Sequence, residues 1–258
     1  MDLSIVIPVF RGGSTIAGRL RGLSRYLERT DHGLDYELVV VDDGSGDGTG
    51  ELLERLDLPR LAVVKLAENR GKYSALKVGM GRATGACRLF TDADVPYEHG
   101  AVLYMARHVI DRGVHVVIGD RRLRGSRYCD ELGPVRRALT GAFTLVVRLL
   151  VTSGLGDTQC GIKAFRGDVA AALFPLLRES GFAGDVELLY IALGYNLEIK
   201  RVPVRLVFQA PSTVRPGRDA LRMLGALTRI RRRRVRGEYR NADLEALAHQ
   251  DYWSTRDA

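Results

Sequence analysis

Apolar residues in this chain fall into short, near-continuous blocks. Between the blocks they recur every three or four positions. Leu3–Val9, Glu37–Val41, Leu61–Leu66, Cys87–Thr91 and Val114–Gly119 are blocks of the first kind, and such Val/Ile/Leu-rich runs predict strands buried on both faces. Ser14–Glu28, Asp47–Leu56, Lys72–Ala83 and Glu98–Arg112 carry the helical spacing, with Ser14 or Thr15 as the expected cap of the first helix. Strand and helix in strict alternation predict an α/β fold: a mostly parallel sheet with helices on both faces.

The second half is less regular. Val135–Val151 reads as a long apolar helix, Gly161–Phe165 as a short strand, Val169–Leu177 and Val186–Leu193 as helices, and Leu197–Phe208 as one strand or two. Arg218–Arg234 is helical in pattern and the chain turns polar from Gly237. No repeat or linker divides it. The expected organisation is one domain over residues 1–210, a basic amphipathic helix within 211–240, and a polar tail from 241 to 258.

Charge refines that division. The 258 residues hold 39 Lys+Arg against 31 Asp+Glu, a net +8. Nine arginines and only two acids, Asp219 and Glu238, lie between Arg218 and Arg240, so +7 of the surplus belongs to that segment. A generally basic, nucleic-acid-binding body is therefore disfavoured, and no aromatics interleave the arginines as single-strand binding would want. An amphipathic basic helix instead suggests an anionic membrane surface touched through Arg229–Arg236, with Leu221, Leu224, Leu227 and Ile230 as its apolar edge. The other reading of this segment is a solvated helix packed on the core. Three cysteines without paired spacing and no basic-then-apolar leader point to a reduced, cytoplasmic setting, peripheral at the membrane face. No uncharged apolar run is long enough to span a bilayer, since Arg148 interrupts Gly141–Leu155.

Open α/β sheets bind ligands at the carboxyl ends of their strands. Two acidic clusters fall there: Asp42-Asp43 after the second strand and Asp92-Ala93-Asp94 after the fourth. Paired carboxylates in such places can accept hydrogen bonds from a base or ribose, or hold a hard divalent cation that bridges phosphates. Asn69-Arg70-Gly71-Lys72 lies between them, and Lys72 opens a helix, where a cation beside backbone N–H groups suits a diphosphate.

The ordered set IVIPVFRGG, VVVDDGSGDGT, NRGKYSAL and FTDADVP resembles the nucleotide-sugar-binding half of glycosyltransferase family 2, with its GT-A fold and Rossmann-like central sheet. VIGDRR, DTQCGIKAF and GDVELLYIAL are similar to the polyprenyl-phosphate hexosyltransferases of that family, above all their dolichyl-phosphate glucosyltransferase branch. The likeness spans residues 3 to 208. It implies that Pro8, Val9 and Phe10 line the nucleobase pocket and that Asp42, with Asp43 beside it, bonds base or ribose. It also implies that Lys72 lies near the diphosphate, that Asp92, Ala93 and Asp94 form the DxD, and that Asp92 and above all Asp94 take Mg2+ or Mn2+. Asp157, Thr158 and Gln159 would approach the sugar. Arg121 and Arg136 or Arg137 would grip an acceptor phosphate, and Asp185 and Glu187 match the family's acidic pair. Three positions depart from the pattern: Pro96 replaces a frequent Gln ligand, Arg11-Gly12-Gly13 replaces Asn-Glu, and the aromatic before DVELL is absent. The processive Gln-x-x-Arg-Trp motif is missing too, which disfavours a polymerase.

The implied reaction is inverting transfer of a hexose from UDP-glucose, or next GDP-mannose, to a polyprenyl phosphate. A phosphate monoester is already anionic near neutrality, since its second pKa is about 6, so it needs cations more than a base. A neutral hydroxyl acceptor would need a base, and Asp185 or Glu187 is the candidate. Two other functions are weighed against this one: transfer to a small soluble acceptor on the same fold, and non-catalytic binding of nucleotide or membrane. Arg121 and Arg122 have an alternative as surface partners of Asp120 or Asp130, and Asp185 an alternative as a helix cap.

Overall fold

A computed structural model describes residues 1–127, 157–207 and 216–248. Its elements run β1 (Leu3–Val9), α1 (Gly13–Arg29), β2 (Tyr36–Asp42), α2 (Thr49–Glu54), β3 (Leu61–Lys65), α3 (Lys72–Arg82), β4 (Cys87–Thr91), α4 (Gly100–Ile110) and β5 (Val116–Asp120). There follow β6 (Ile162–Arg166), α5 (Gly167–Leu173) with a 3-10 turn at Phe174–Leu176, α6 (Phe182–Gly194), β7 (Ile199–Pro203), α7 (Pro216–Val235) and α8 (Ala242–Ala248). The apolar helix expected over Val135–Val151, and with it Arg136 and Arg137, lies outside the described residues.

The seven strands form one sheet in the order β3-β2-β1-β4-β6-β5-β7. All neighbours are parallel except β6, which runs antiparallel to both β4 and β5. Alternation within each strand sends residues to opposite faces, and here both faces are apolar. Leu3, Ile5, Ile7, Val9, Leu38 and Val40 pack with α1 and α4, whereas Val6, Val39, Val41, Phe90 and Phe165 pack with α3, α5 and α6. Burying one such side chain fully is worth about 1.5–3 kcal/mol, so this two-sided layer outweighs any local preference of the short connecting turns.

Pairing of β1 with β4 ends at Val6↔Phe90, while β1 stays paired with β2 as far as Val9↔Asp42. The strand order reverses at β1, with β2 and β3 on one side and β4 on the other. A crevice therefore opens at the carboxyl ends of β1 and β4, the topological switch point where such sheets take ligands.

Three expectations change. The cap of α1 is Gly12, which makes no side-chain cap bond, rather than Ser14 or Thr15. Leu197–Phe208 becomes β7 followed by single bridges, Arg127↔Arg205 and Tyr97↔Leu206. The stretch beyond Gly237 is not merely a polar tail, because α8 packs on α5 and buries Leu244 completely within the core on that face. Leu244→Ala should therefore cost about 2–4 kcal/mol, read from denaturant unfolding; an unchanged midpoint would make α8 dispensable to the core.

Candidate active site

Four charged side chains meet on the α3/α6 side of the switch point. Lys163 stands on β6 opposite Phe90 of β4, is 0% exposed, and pairs with Asp185 in the first turn of α6 while donating to the Cys160 carbonyl at 2.8 Å. Lys72, the first residue of α3, donates to Asp92 at 2.5 Å, just beyond β4. Both ammonium groups lie over the Phe90 ring, at 5.4 and 5.6 Å from its centroid. A buried lysine without a partner costs several kcal/mol, so Lys163 requires Asp185. Burial works against the charge on Lys72, but Asp92 and then Asp185 raise its pKa above the ordinary value. Burial, reinforced by Asp185, also lifts the Tyr73 hydroxyl well above its usual range and keeps it protonated. Asp185 thus serves Lys163 rather than capping a helix; the cap residue of α6 is Gly181.

The segment Asp157–Lys163 forms the wall beside this cluster. A Cβ on Gly161 would overlap the Asp92 carboxylate, so any larger residue here would displace Asp92 from its place in the DxD turn. Tyr97 fixes the same stretch, its hydroxyl accepting from Gly161 N at 2.9 Å. Asp94 is half-buried. Burial, with the neighbouring Asp92 charge, raises its pKa, and a divalent cation would relieve both effects. Among the described residues no group of three or more His, Cys, Asp or Glu could hold a metal. Asp92 and Asp94 offer two carboxylates to such an ion, one Asp92 oxygen being engaged by Lys72, and Pro96, buried beside them, adds no ligand.

The other expected residues are placed as follows. Pro8 and Val9 are covered within β1, and of this trio only Phe10 is open, at 44% exposure, with the Arg11 guanidinium 5.1 Å from its ring centroid. Asp42 is buried and accepts from the backbone and hydroxyl of Ser45. Asp43 accepts from Arg70 N at 2.9 Å and Gly71 N at 2.8 Å, which pins the loop that leads into Lys72. Ala93 and Gln159 are partly exposed at the mouth, and Gln159 N donates to Asp157.

Arg121 is engaged by Asp157, and Asp130 lies outside the described residues. It makes a two-pronged contact with Asp157, Nε–Oδ2 2.6 Å and Nη2–Oδ1 2.8 Å, with its own N–H adding a third bond. Asp120 is taken by Arg201 at 2.7 Å and by Arg122 N. Glu187 is 0% exposed and accepts from Arg178 N, Glu179 N, Tyr239 Oη and Arg233 Nη1. A carboxylate held by four donors in this way ties α6 to the chain around it.

Lys163, Tyr97 and Glu179 escaped the sequence reading. For Lys163 a signal existed: a single Lys inside the apolar strand Ile162–Phe165, on the same face as Phe165.

A mostly parallel sheet whose switch point carries paired carboxylates and a helix-opening lysine is the arrangement of the GT-A glycosyltransferases. Solved structures of that fold match it: mannosyl-3-phosphoglycerate synthase from Rubrobacter xylanophilus has a TM-score of 0.67 at 19% identity, over 94% of this chain and 76% of its own. Glucosyl-3-phosphoglycerate synthase from Mycobacterium tuberculosis, in complex with Mn2+, UDP-glucose and phosphoglyceric acid, gives 0.66 at 19% identity over 89% and 79%. The family profile described as "Glycosyl transferase family 2" matches residues 4–133, and the chain belongs to that family. Its curated relatives include dolichyl-phosphate beta-glucosyltransferases from Dictyostelium discoideum, 30% identical over 91% of this chain and 75% of the relative, and from Homo sapiens, 29% identical over 93% and 78%. The protein is a glycosyltransferase.

Burial opposes the charge on Asp157, but hydrogen bonding to Arg121 holds its pKa below the ordinary value. A lowered carboxylate stabilises the fold above the unfolded-state value of about 4 and loses that contribution as the pH falls through the folded-state value. Asp157→Ala should cost about 3 kcal/mol at neutral pH, and its deficit should shrink toward pH 3 in urea melts. A deficit independent of pH would show that the pair contributes no charge-dependent stability.

Proposed function

We propose that this enzyme transfers glucose from UDP-glucose, with GDP-mannose the next donor to consider, to a polyprenyl phosphate with inversion at the anomeric carbon. The observation that carries this reading is the likeness, over more than nine-tenths of the chain, to proteins named dolichyl-phosphate beta-glucosyltransferase. An acceptor phosphate oxygen attacks the anomeric carbon, the bond to the donor diphosphate breaks, and the nucleoside diphosphate leaves.

The state of the carboxylates supports an acceptor that arrives ionised. Asp185 is engaged by Lys163 and Glu187 by four donors, so a hydroxyl acceptor would find no disengaged base in this pair. A phosphate monoester, with a second pKa of about 6, needs none. Arg121 is the described cation for it. Its guanidinium is fixed by Asp157 at the end of β5, and Arg136 and Arg137 remain proposed partners from outside the described residues. On the donor side, Phe10 is the exposed ring for the base, and Lys72 at the uncapped N-terminus of α3 faces the diphosphate.

Asp94 and Asp92 would hold Mg2+ or Mn2+, which supplies positive charge against the departing diphosphate. The protein's own part is mostly positioning and preset charge. Asp94→Ala should lower metal-dependent turnover at least a hundredfold in a mass-detected assay with UDP-glucose and a short polyprenyl phosphate. A rate within a few-fold of the parent would remove Asp94 from the metal site. In the parent, transfer only to non-phosphate acceptors would overturn the acceptor reading.

A membrane surface is the other partner proposed, and the packing of α7 narrows where it could bind. Leu227 and Ile230 pack against the protein, and Arg229 and Arg233 are held by Glu179, so the exposed residues of α7 not engaged this way include Arg231, Arg232 and Val235, with Arg236 just beyond the helix. Among the described residues no helix is long and apolar enough to cross a membrane. Each arginine near an anionic bilayer is worth about 1 kcal/mol, so Arg231→Gln with Arg232→Gln should weaken sedimentation with phosphatidylglycerol vesicles about thirtyfold. Unchanged sedimentation would remove this face from the proposal.

A further inference from the structure

Residues 177–185 connect the 3-10 turn to the first turn of α6 and lie against the back of the donor site. Lys77 on α3 donates to the Leu177 carbonyl at 3.1 Å. A Cβ on Gly71 would come within 3.8 Å of the Ser180 side chain, and one on Gly184 would overlap the Tyr73 ring. This segment therefore supports the start of α3, where Lys72 sits, and it delivers Asp185 to Lys163. Apart from Asp185 it contributes no group to the charge cluster.

Its other side is tied to the basic helix α7. Glu179, only 8% exposed, accepts from Arg229 Nε at 3.0 Å and Nη2 at 2.6 Å, and from Arg233 Nη1 at 2.6 Å. Arg233 reaches on to Glu187 at 3.3 Å, and Glu187 in turn accepts from the backbone N–H groups of Arg178 and Glu179, each at 2.7 Å. Tyr239, just beyond α7, closes the network with a 2.6 Å bond to Glu187. Arg229 and Arg233 are four residues apart and share one helix face. Two-pronged guanidinium–carboxylate contacts fix geometry in a way that a lysine point charge does not.

We infer that Arg229 and Arg233 are positioning residues for sugar transfer: through Glu179 and Glu187 they hold residues 177–185 against α3, and so keep Lys72 and Asp185 in place. The inference rests on the transfer reading above and deepens it. It gives the basic segment a second task besides any membrane contact, performed by different arginines. Misplacing reacting groups by about an ångström can lose a hundredfold in rate, so the network can govern turnover without touching substrate.

The test uses the full chain with Arg229→Ala/Arg233→Ala, Glu179→Gln as a neutral variant of similar shape, and Arg25→Ala on the exposed face of α1 as control. Hydrogen–deuterium exchange is followed in peptides covering 69–76 and 177–185, together with calorimetric UDP binding and kcat/KM for UDP-glucose. Expected are exchange at least tenfold faster in both peptides, weaker UDP binding, and kcat/KM down about a hundredfold, with Arg25→Ala unchanged. The inference is overturned if faster exchange is confined to residues 216–240 while kcat/KM and UDP binding stay within twofold of the parent. If the double variant does not fold, Glu179→Gln decides by the same readouts. A parent enzyme that transfers no sugar defeats the transfer reading instead, and exchange and UDP binding still decide whether the network holds the donor site.

Discussion

The structure turns on a lysine that has no contact with water. Lys163 sits between β4 and β5 at the centre of the sheet, and its charge can be buried there only because Asp185 meets it. That requirement fixes where α6 begins, and it fixes the face of β6 that turns toward α3. Lys72 and Asp92 repeat the same pairing one layer nearer the crevice, across the same Phe90 ring. The site is thus an alternation of charges, buried beneath and half-exposed above. A cluster of this kind costs little reorganisation when an anionic donor arrives, because its dipoles and charges are already fixed.

Most of the fold was legible because the parallel half advertises itself. Continuous apolar runs such as Leu3–Val9 and Glu37–Val41 have few readings other than strands buried on both sides, and all five strands of that half were found. Strand direction was not legible. Gly161–Phe165 reads as a strand, but nothing local shows that it inserts antiparallel between β4 and β5, since that depends on the path of the chain before it. The cap of α1 was misread for a related reason: Gly13 N, at the helix start, donates to Thr49 Oγ1 of α2 at 3.1 Å, so a partner 36 residues along the chain takes the place of a local Ser14 or Thr15 cap.

The candidate site was legible as residue types and less so as partnerships. Asp42, Asp43, Asp92, Asp94 and Lys72 do converge on one end of the sheet. What each one binds could not be read, because Asp43 reaches 27 residues along the chain to Arg70 and Arg121 reaches 36 to Asp157. Glu187 shows the hazard most clearly. Its place in the DVELL motif suggests chemistry, whereas its complete burial under Tyr239 and Arg233 makes it a tie between α6 and the C-terminal helices. The arginine-rich segment likewise divides by partner, Arg229 and Arg233 held by Glu179 and Arg231 and Arg232 exposed, a distinction that composition alone does not contain.

The most direct test of this account is a double-mutant cycle at the buried pair. Lys163→Met leaves Asp185 buried and unpartnered, and should lower the unfolding free energy by about 3–5 kcal/mol. Lys163→Met with Asp185→Asn should recover most of that stability without recovering turnover, because the charge alternation around Phe90 is gone. A Lys163→Met enzyme as stable as the parent, or a double variant that transfers sugar at the parental rate, would contradict the claim that this pair organises the site.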